Sequence, residues 1–333
     1  MDTKTLLSHI ELELQRQVSR LDSPRTQPFH EMLTYHMGWT GEGAGPEAAG
    51  KRIRPLMVLL CTAAAGGDWQ KALPAAAAVE LVHNFSLVHD DIQDNSAKRR
   101  GRPTAWVKWG APMAINVGDA LFVISNQAIM DLHKDYPADV VVRAAVILHN
   151  TCLELTRGQF LDMSYEERND LGADDYWPMV AGKTAALLSA CCQIGALLGG
   201  ADEARQDAYR SFGHYLGLAF QVQDDILGIW GDEAVTGKSA ASDLVEGKNS
   251  LPVLAGLSAR GKFAARWKQG PIQPHEVEEI ARLLTNEGGY GTAYDASRQM
   301  TDLALLNLQE ADPHGEAGAA LFDLADKLLK RNQ

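Results

Sequence analysis

The sequence predicts an all-α protein with several helices longer than 20 residues. Three observations carry that prediction. Alanine and leucine dominate the long apolar segments, those segments repeat at helical spacing rather than alternating, and no Asn-Gly pair marks a hairpin. The chain has 333 residues, ample for a buried core, and no proline-rich linker or shift in composition divides it. It reads as one domain, residues 1–333.

The elements follow in order. Residues 4–20 carry leucines at helical spacing with charges distributed among them, an amphipathic helix rather than a signal peptide. Helical periodicity resumes over 28–38 and 52–65, on either side of the glycine-rich loop Trp39–Gly50. Pro74 suits the first turn of a helix over 74–94. Further helical segments cover 112–133, 139–166, 174–198 and 203–230. The most apolar window, Ala185–Ala201, is broken by Ser189 and Gln193 and ends in Gly199-Gly200. It falls short of the roughly 20 residues that a membrane span needs, so it reads as a buried bundle helix. Gly231–Asn249 reads as a loop, and helices over 250–258, 275–286, 291–310 and 315–331 complete the chain.

The formal net charge of -12 argues against a nucleic-acid partner, whose phosphates require a basic footprint. Cys61, Cys152, Cys191 and Cys192 have no zinc-binding spacing, and adjacent cysteines begin a disulfide framework poorly. They read as small buried hydrophobes in a reducing cytoplasm.

Two acidic clusters concentrate the chemistry. In SLVHDDIQDNSAKRRGRP, residues 86–103, Asp90, Asp91 and Asp94 follow an apolar, alanine-rich run and precede a basic turn. At about 100° per residue, Asp90 and Asp94 share a helix face with Asp91 beside them. Hard oxygen ligands near guanidinium groups suit Mg²⁺ bridged to a phosphorylated substrate, although a solvated helix end of mixed charge has the same composition. Far along the chain, Gln221, Asp224 and Asp225 stand at i, i+3 and i+4 and share a face. Two Asp-Asp pairs buried by context are costly unless cations neutralise them, as an ion cluster shared by two facing helices would do.

Basic residues supply the complementary charge. In Gly50-Lys51-Arg52-Ile53-Arg54-Pro55 a glycine-rich loop enters a helix, and Lys51 and Arg54 lie one turn apart. Positive charge in a first turn opposes the helix dipole, and a diphosphate would compensate it. His83 lies two turns before Asp90 on the same face; a hydrogen-bonded core histidine is the plainer reading. Lys183, in Gly182-Lys183-Thr184, sits in an apolar setting where an ammonium wants an anion or must snorkel to water. Lys238 and Lys248 flank a loop able to fold over a phosphate, and a solvated loop would look the same.

With these residues assembled, the chain resembles the trans-isoprenyl diphosphate synthases, an all-α polyprenyl transferase family. The pieces GKRIRP, ELVHNFSLVHDDIQD, KRRGRPT, Gly118-Asp119, GQFLD, GKT and FQVQDD stand in order over most of the length. The resemblance implies long helices around a central active-site cavity, a homodimer, Mg²⁺ as cofactor, and isopentenyl and allylic diphosphates as substrates. By it, Asp90, Asp91, Asp94, Asp224 and Asp225 would bind Mg²⁺. Lys51, Arg54, His83 and Arg100 would hold isopentenyl diphosphate. Arg99, Lys183, Thr184, Gln221, Lys238 and Lys248 would hold the allylic diphosphate, with Lys183, Asp90 and Asp91 closest to the chemistry.

One departure stands out. The second family motif commonly reads DDxxD, whereas this chain has Asp224-Asp225-Ile226-Leu227-Gly228, with the next acid at Asp232. Phe85 lies about 7.5 Å below Asp90 at 1.5 Å per residue. With Ser86 it is expected to limit chain length; an aromatic there and an uninterrupted DDIQD resemble geranylgeranyl synthases more than farnesyl synthases. An ordinary core phenylalanine is the plainer alternative. A class I terpene cyclase would share the fold but needs no second diphosphate pocket. A non-catalytic partner subunit would usually lack the first acidic motif; the activity of the purified chain separates these readings.

Overall fold

The computed structural model describes residues 1–166, 168, 170–231 and 242–329. Lys238, Asp232 and the tail of the helix expected to reach residue 331 lie outside them. The helices are α1 (Thr3–Val18), α2 (Gln27–His36), α3 (Pro46–Ala49), α4 (Ile53–Ala64), α5 (Leu73–Gln93), α6 (Ala105–Trp109), α7 (Ala111–Met130) and α8 (Ala138–Tyr165). There follow α9 (Ala173–Val180), α10 (Ala186–Leu198), α11 (Glu203–Trp230), α12 (Ser242–Val245), α13 (Leu251–Ser258), α14 (Lys262–Trp267), α15 (Val277–Asn286), α16 (Gly289–Glu310) and α17 (Gly315–Leu329). The all-α expectation holds, and the long helices match their expected spans to within a few residues.

The differences have local causes. Strands β1 (Lys98–Arg99) and β2 (Arg102–Pro103) pair antiparallel, with Arg99 opposite Arg102. Arg100 and Gly101 form the connection, with φ of 50° and 76°. Two positive φ values give the turn whose twist matches a tight hairpin, and here Arg-Gly does what Asn-Gly usually does. The expected helix over 174–198 is interrupted by a π-helical turn, Ala181–Ala185. Short helices α3 and α12 occupy stretches read as loop, and α14 was not anticipated.

The described residues form two compact units. The first comprises residues 1–150, 190–206 and 312–321. In it α5 packs on α7, α4 and α1. Ala75, Ala76, Ala77, Ala78, Val79, Leu81 and Val82 of α5 are all buried, so small side chains let the neighbouring helices approach closely. Asp2 caps α1 by accepting from the backbone N–H groups of Lys4 and Thr5, and Pro74 stands in the first turn of α5 as expected. All four cysteines are free and buried.

The second unit comprises the described residues of 151–189, 207–311 and 322–329. There α13 packs on α16 and α9. One apolar cluster joins Tyr176, Val180, Ala185, Val222, Ile226 and Leu254; another joins Ile229, Leu244, Val253, Phe263, Ile280 and Leu284.

Two stretches, 111–134 and 173–198, are long and apolar enough to cross a membrane by length and composition. The second begins well before the window read from the sequence, and 67% of its most apolar part is buried within the fold, as in a core helix. In the first that share is 44%.

Candidate active site

In the first unit, Arg52 and Arg54 divide the work of the GKRIRP turn. Arg52 opens α4 in a left-handed conformation, φ 49°, and its buried guanidinium pairs with Glu80 at 2.8 Å and Glu11 at 2.5 Å. It also donates to the carbonyl of Met37. This network pins the turn between α1 and α5. Arg54 points elsewhere: its Nη1 lies 3.3 Å from His83 Nε2, and it forms no ion pair among the described residues. Its buried Nε has no hydrogen-bond partner there either. Burial pulls the Arg54 guanidinium below its ordinary pKa. His83, half-buried with a desolvated ring beside Arg54, Arg100 and Arg99, is held well below the usual histidine range, so its neutral ring accepts from Arg54. A desolvated cation with an unused donor suits an anion such as a diphosphate oxygen. Lys51 is exposed beside them.

The hairpin distributes its three arginines differently. Arg102 is buried, donates to the carbonyls of Tyr35, Thr40 and Glu42, and stacks 4.0 Å from the Tyr35 ring centre, which makes it a structural clamp. Arg100 donates to the carbonyls of Ala48 and Ala49. Arg99 Nε donates to Asp91 Oδ1 at 2.8 Å. Asp91 is buried at the end of α5, and its Oδ2 has no hydrogen-bond partner among the described residues. Burial raises its pKa to about 6, against the lowering influence of Arg99. Asp90 is half-buried and Asp94 exposed. A buried carboxylate with one oxygen on a guanidinium and the other unmatched fits a hard divalent cation. Among the described residues no three acidic, histidine or cysteine side chains gather closely enough to hold an ion alone. An ion here would complete its shell with water and phosphate oxygens, as Mg²⁺ commonly does.

Below the acidic end of α5, the Phe85 ring lies 5.0 Å from the Phe122 ring of α7 and 5.2 Å from the His89 ring. Ser86 Oγ is held by the carbonyl of His83. Phe122 was not singled out from the sequence, because the pairing depends on how α5 and α7 are rotated against each other.

In the second unit, α8 and the π-helical turn meet at Gly158 and Gly182. A Cβ on either glycine would overlap the other segment's backbone, which accounts for the glycines of GQFLD and GKT. The turn presents Lys183, paired with Asp162, and Thr184, whose hydroxyl donates to Gln221 Oε1 at 2.9 Å. Gln221 Nε2 donates to Asp225 Oδ1 at 3.0 Å. Asp225 Oδ2 accepts from the Tyr176 hydroxyl at 2.8 Å and from the Leu251 N–H, at the start of α13, at 3.1 Å. Burial raises the Asp225 pKa to about 6, while those three donors oppose the rise. Asp224 is half-buried on the same helix. Lys248 pairs with Asp243 at 3.2 Å and Glu246 at 2.8 Å. Tyr176 carried no motif signal in the sequence.

Residues 45–284 match the family model described as polyprenyl synthetase. The chain is 41% identical over 315 residues to a geranylgeranyl diphosphate synthase of Mycobacterium tuberculosis, covering 92% of this chain and 89% of that one. It is 37% identical to a (2E,6E)-farnesyl diphosphate synthase of Mycobacterium bovis, covering 96% and 89%. A crystal structure of a polyprenyl synthetase from Streptomyces coelicolor superposes with a TM-score of 0.87 at 35% identity, covering 98% and 99%. With the glycine crossing, the arginine pocket and both acidic motifs accounted for, the chain belongs to the polyprenyl synthetase family.

Proposed function

We propose that the protein condenses isopentenyl diphosphate with allylic diphosphates, 1′ to 4, to make all-trans geranylgeranyl diphosphate. The observation that carries the reading is Asp91: a buried carboxylate, one oxygen on Arg99 and the other unmatched. Asp90, Asp91 and Asp94 would hold Mg²⁺ at the first motif, and Asp224 would hold it at the second, with Asp225 anchoring that turn. Bound Mg²⁺ supplies positive charge that stabilises the departing diphosphate.

The chain's own groups do the rest. Lys183, Thr184, Gln221, Arg99 and Lys248, and Lys238 beyond the described residues, would bind the allylic diphosphate and orient its C1–O bond. As that bond breaks, its electron pair stays on the diphosphate oxygen, where these donors stabilise the charge. Lys51, Arg54, His83 and Arg100 would hold isopentenyl diphosphate so that its double bond attacks the allylic cation. Neutral His83 donates or accepts a hydrogen bond there without adding charge. Exclusion of water protects the cation. The proton lost from the new isopentenyl unit passes to the released diphosphate, so no protein base is needed.

Phe85 backed by Phe122 supports a floor at twenty carbons; the farnesyl relative makes a fifteen-carbon stop the second reading. Exposed Val142, Val146, Leu153 and Phe160 form one apolar stripe along α8, and exposed Val123 and Met130 lie on α7, which supports a homodimer. Sedimentation analysis showing only monomer at micromolar concentration would remove that part. The four free, buried cysteines support a cytoplasmic location.

The test is product analysis of the purified chain with Mg²⁺, isopentenyl diphosphate and each of the five-, ten- and fifteen-carbon allylic diphosphates. A twenty-carbon product is expected. A fifteen-carbon stop keeps the reaction and moves the floor; no condensation with any primer overturns the reading in favour of a non-catalytic partner subunit.

A further inference from the structure

Gly118-Asp119 stands among the ordered motifs of the sequence, yet the diphosphate and cation groups described above do not include it. The structure places it against His89, the residue just before Asp90. Phe85 of α5 meets Phe122 of α7, and one turn on along α5, one turn back along α7, His89 meets Gly118. A Cβ built on Gly118 would lie 2.3 Å from His89 Nε2 and 2.4 Å from His89 Cδ2, so only glycine leaves room for the imidazole there. Nε2 lies 3.3 Å from the Ile115 carbonyl, to which it donates, and 3.7 Å from an Asp119 carboxylate oxygen. The same ring stands edge-on to Phe85, with centroids 5.2 Å apart and planes at 81°. Phe85 is thus held by two aromatic neighbours, Phe122 across the helix interface and His89 a turn nearer the aspartates. Aromatic contacts of this kind are directional, so they fix the orientation of the Phe85 ring as well as its place.

We propose that His89 is a positioning residue for product length, seated on Gly118 and holding the Phe85 ring across the path of the growing chain. The proposal deepens the chain-length part of the prenyl-transfer reading and rests on it. Gly118 is the seat: a methyl group there would push the imidazole off α7 and release Phe85. The contacts to Ile115 and Asp119 keep the ring from turning towards solvent, to which 26% of the His89 side chain is open. Without the imidazole, Phe85 loses its support on the aspartate side and turns aside under a longer chain. His89 therefore acts through Phe85, on where growth stops rather than on how each bond forms.

The test uses the full chain with Mg²⁺ and isopentenyl diphosphate. It reads the ratio of kcat/KM for the twenty-carbon allylic primer to that for the fifteen-carbon one, in which any general loss of activity cancels. His89→Ala should raise this ratio about 10-fold or more, the scale on which an apolar pocket discriminates a chain from its longer homologue, and should add twenty-five-carbon product. His89→Phe keeps a ring against Phe85 and should leave the ratio near that of the parent. Gly118→Ala should raise it as well, but not in combination with His89→Ala, because its effect passes through the imidazole. Two independent single variants keep the test decisive if one fails to fold. An unchanged ratio for His89→Ala, or a Gly118→Ala effect of equal size with and without His89, would overturn the proposal. Should Phe85→Ala lengthen the product while His89→Ala does not, the floor stands and only His89 is removed. Should neither lengthen it, the floor falls together with the proposal. A parent that condenses nothing removes the prenyl-transfer reading itself.

Discussion

The two acidic sites use the same residue type in opposite ways. At the end of α5, Asp91 keeps one carboxylate oxygen without a partner, with Arg99 on the other. On α11, Asp225 has every oxygen engaged by Tyr176, Leu251 and Gln221. Both are buried and both are raised to about 6. Burial is common to both; what separates them is whether the protein has already satisfied the carboxylate. Asp91 keeps an oxygen open, and the contacts of Asp225 tie α11 to α9 and to the start of α13.

That contrast can be broken most directly by comparing kinetics. Asp91→Asn should lower kcat about 100- to 1,000-fold, the scale for losing one group that stabilises developing charge, with no loss of stability. Steady-state rates beside denaturant titration would show it; a variant that lost stability and kept activity would reverse the assignment. Asp225→Asn should behave differently. It turns an acceptor for three donors into a mixed group facing the Leu251 N–H, and should cost about 1–3 kcal/mol of stability by urea unfolding. Tyr176→Phe, which keeps the ring and removes one donor, should cost about 1 kcal/mol.

The pH dependence sharpens the same comparison. Without Mg²⁺, the folded chain keeps a proton at Asp91 up to about pH 6, whereas the unfolded chain releases it near the ordinary aspartate value of 3.8. The folded state therefore binds more protons in that window, and stability falls as pH rises from about 4 to 6, then levels off. Asp91→Asn should remove about 1–3 kcal/mol of that fall. Since Mg²⁺ requires the ionised carboxylate, its affinity should rise with pH across the same window. Equal pH slopes for parent and variant would contradict the buried, unmatched Asp91. The smallest change concerns product length. Phe85→Ala should lengthen the main product, and Phe122→Ala should do so to a lesser extent, as read by chromatography of dephosphorylated products. An unchanged distribution in both would remove the aromatic pair as the floor.

Much of this was legible in the chain. Helical spacing located α1, α5, α7, α8, α11 and α16 because a bundle helix must show its core one apolar face, whatever it packs against. The order of GKRIRP, DDIQD, KRRGRP, GQFLD, GKT and QVQDD marked the chemistry, since diphosphate and Mg²⁺ demand those charges in clusters. Which arginine does what was not legible: Arg52 and Arg54, or Arg99, Arg100 and Arg102, are alike in sequence, and only the direction each side chain takes assigns a clamp or a ligand. The hairpin hid for a related reason, because an Arg-Gly turn with positive φ at both residues lacks the usual Asn-Gly signature. Local spacing and charge, which act over a few residues, were thus fixed by the sequence alone. The meeting of Tyr176 with Asp225, of Gly158 with Gly182 and of His89 with Gly118 joins residues 24 to 49 positions apart. Such meetings depend on how whole helices rotate and cross, and tertiary packing alone decides that.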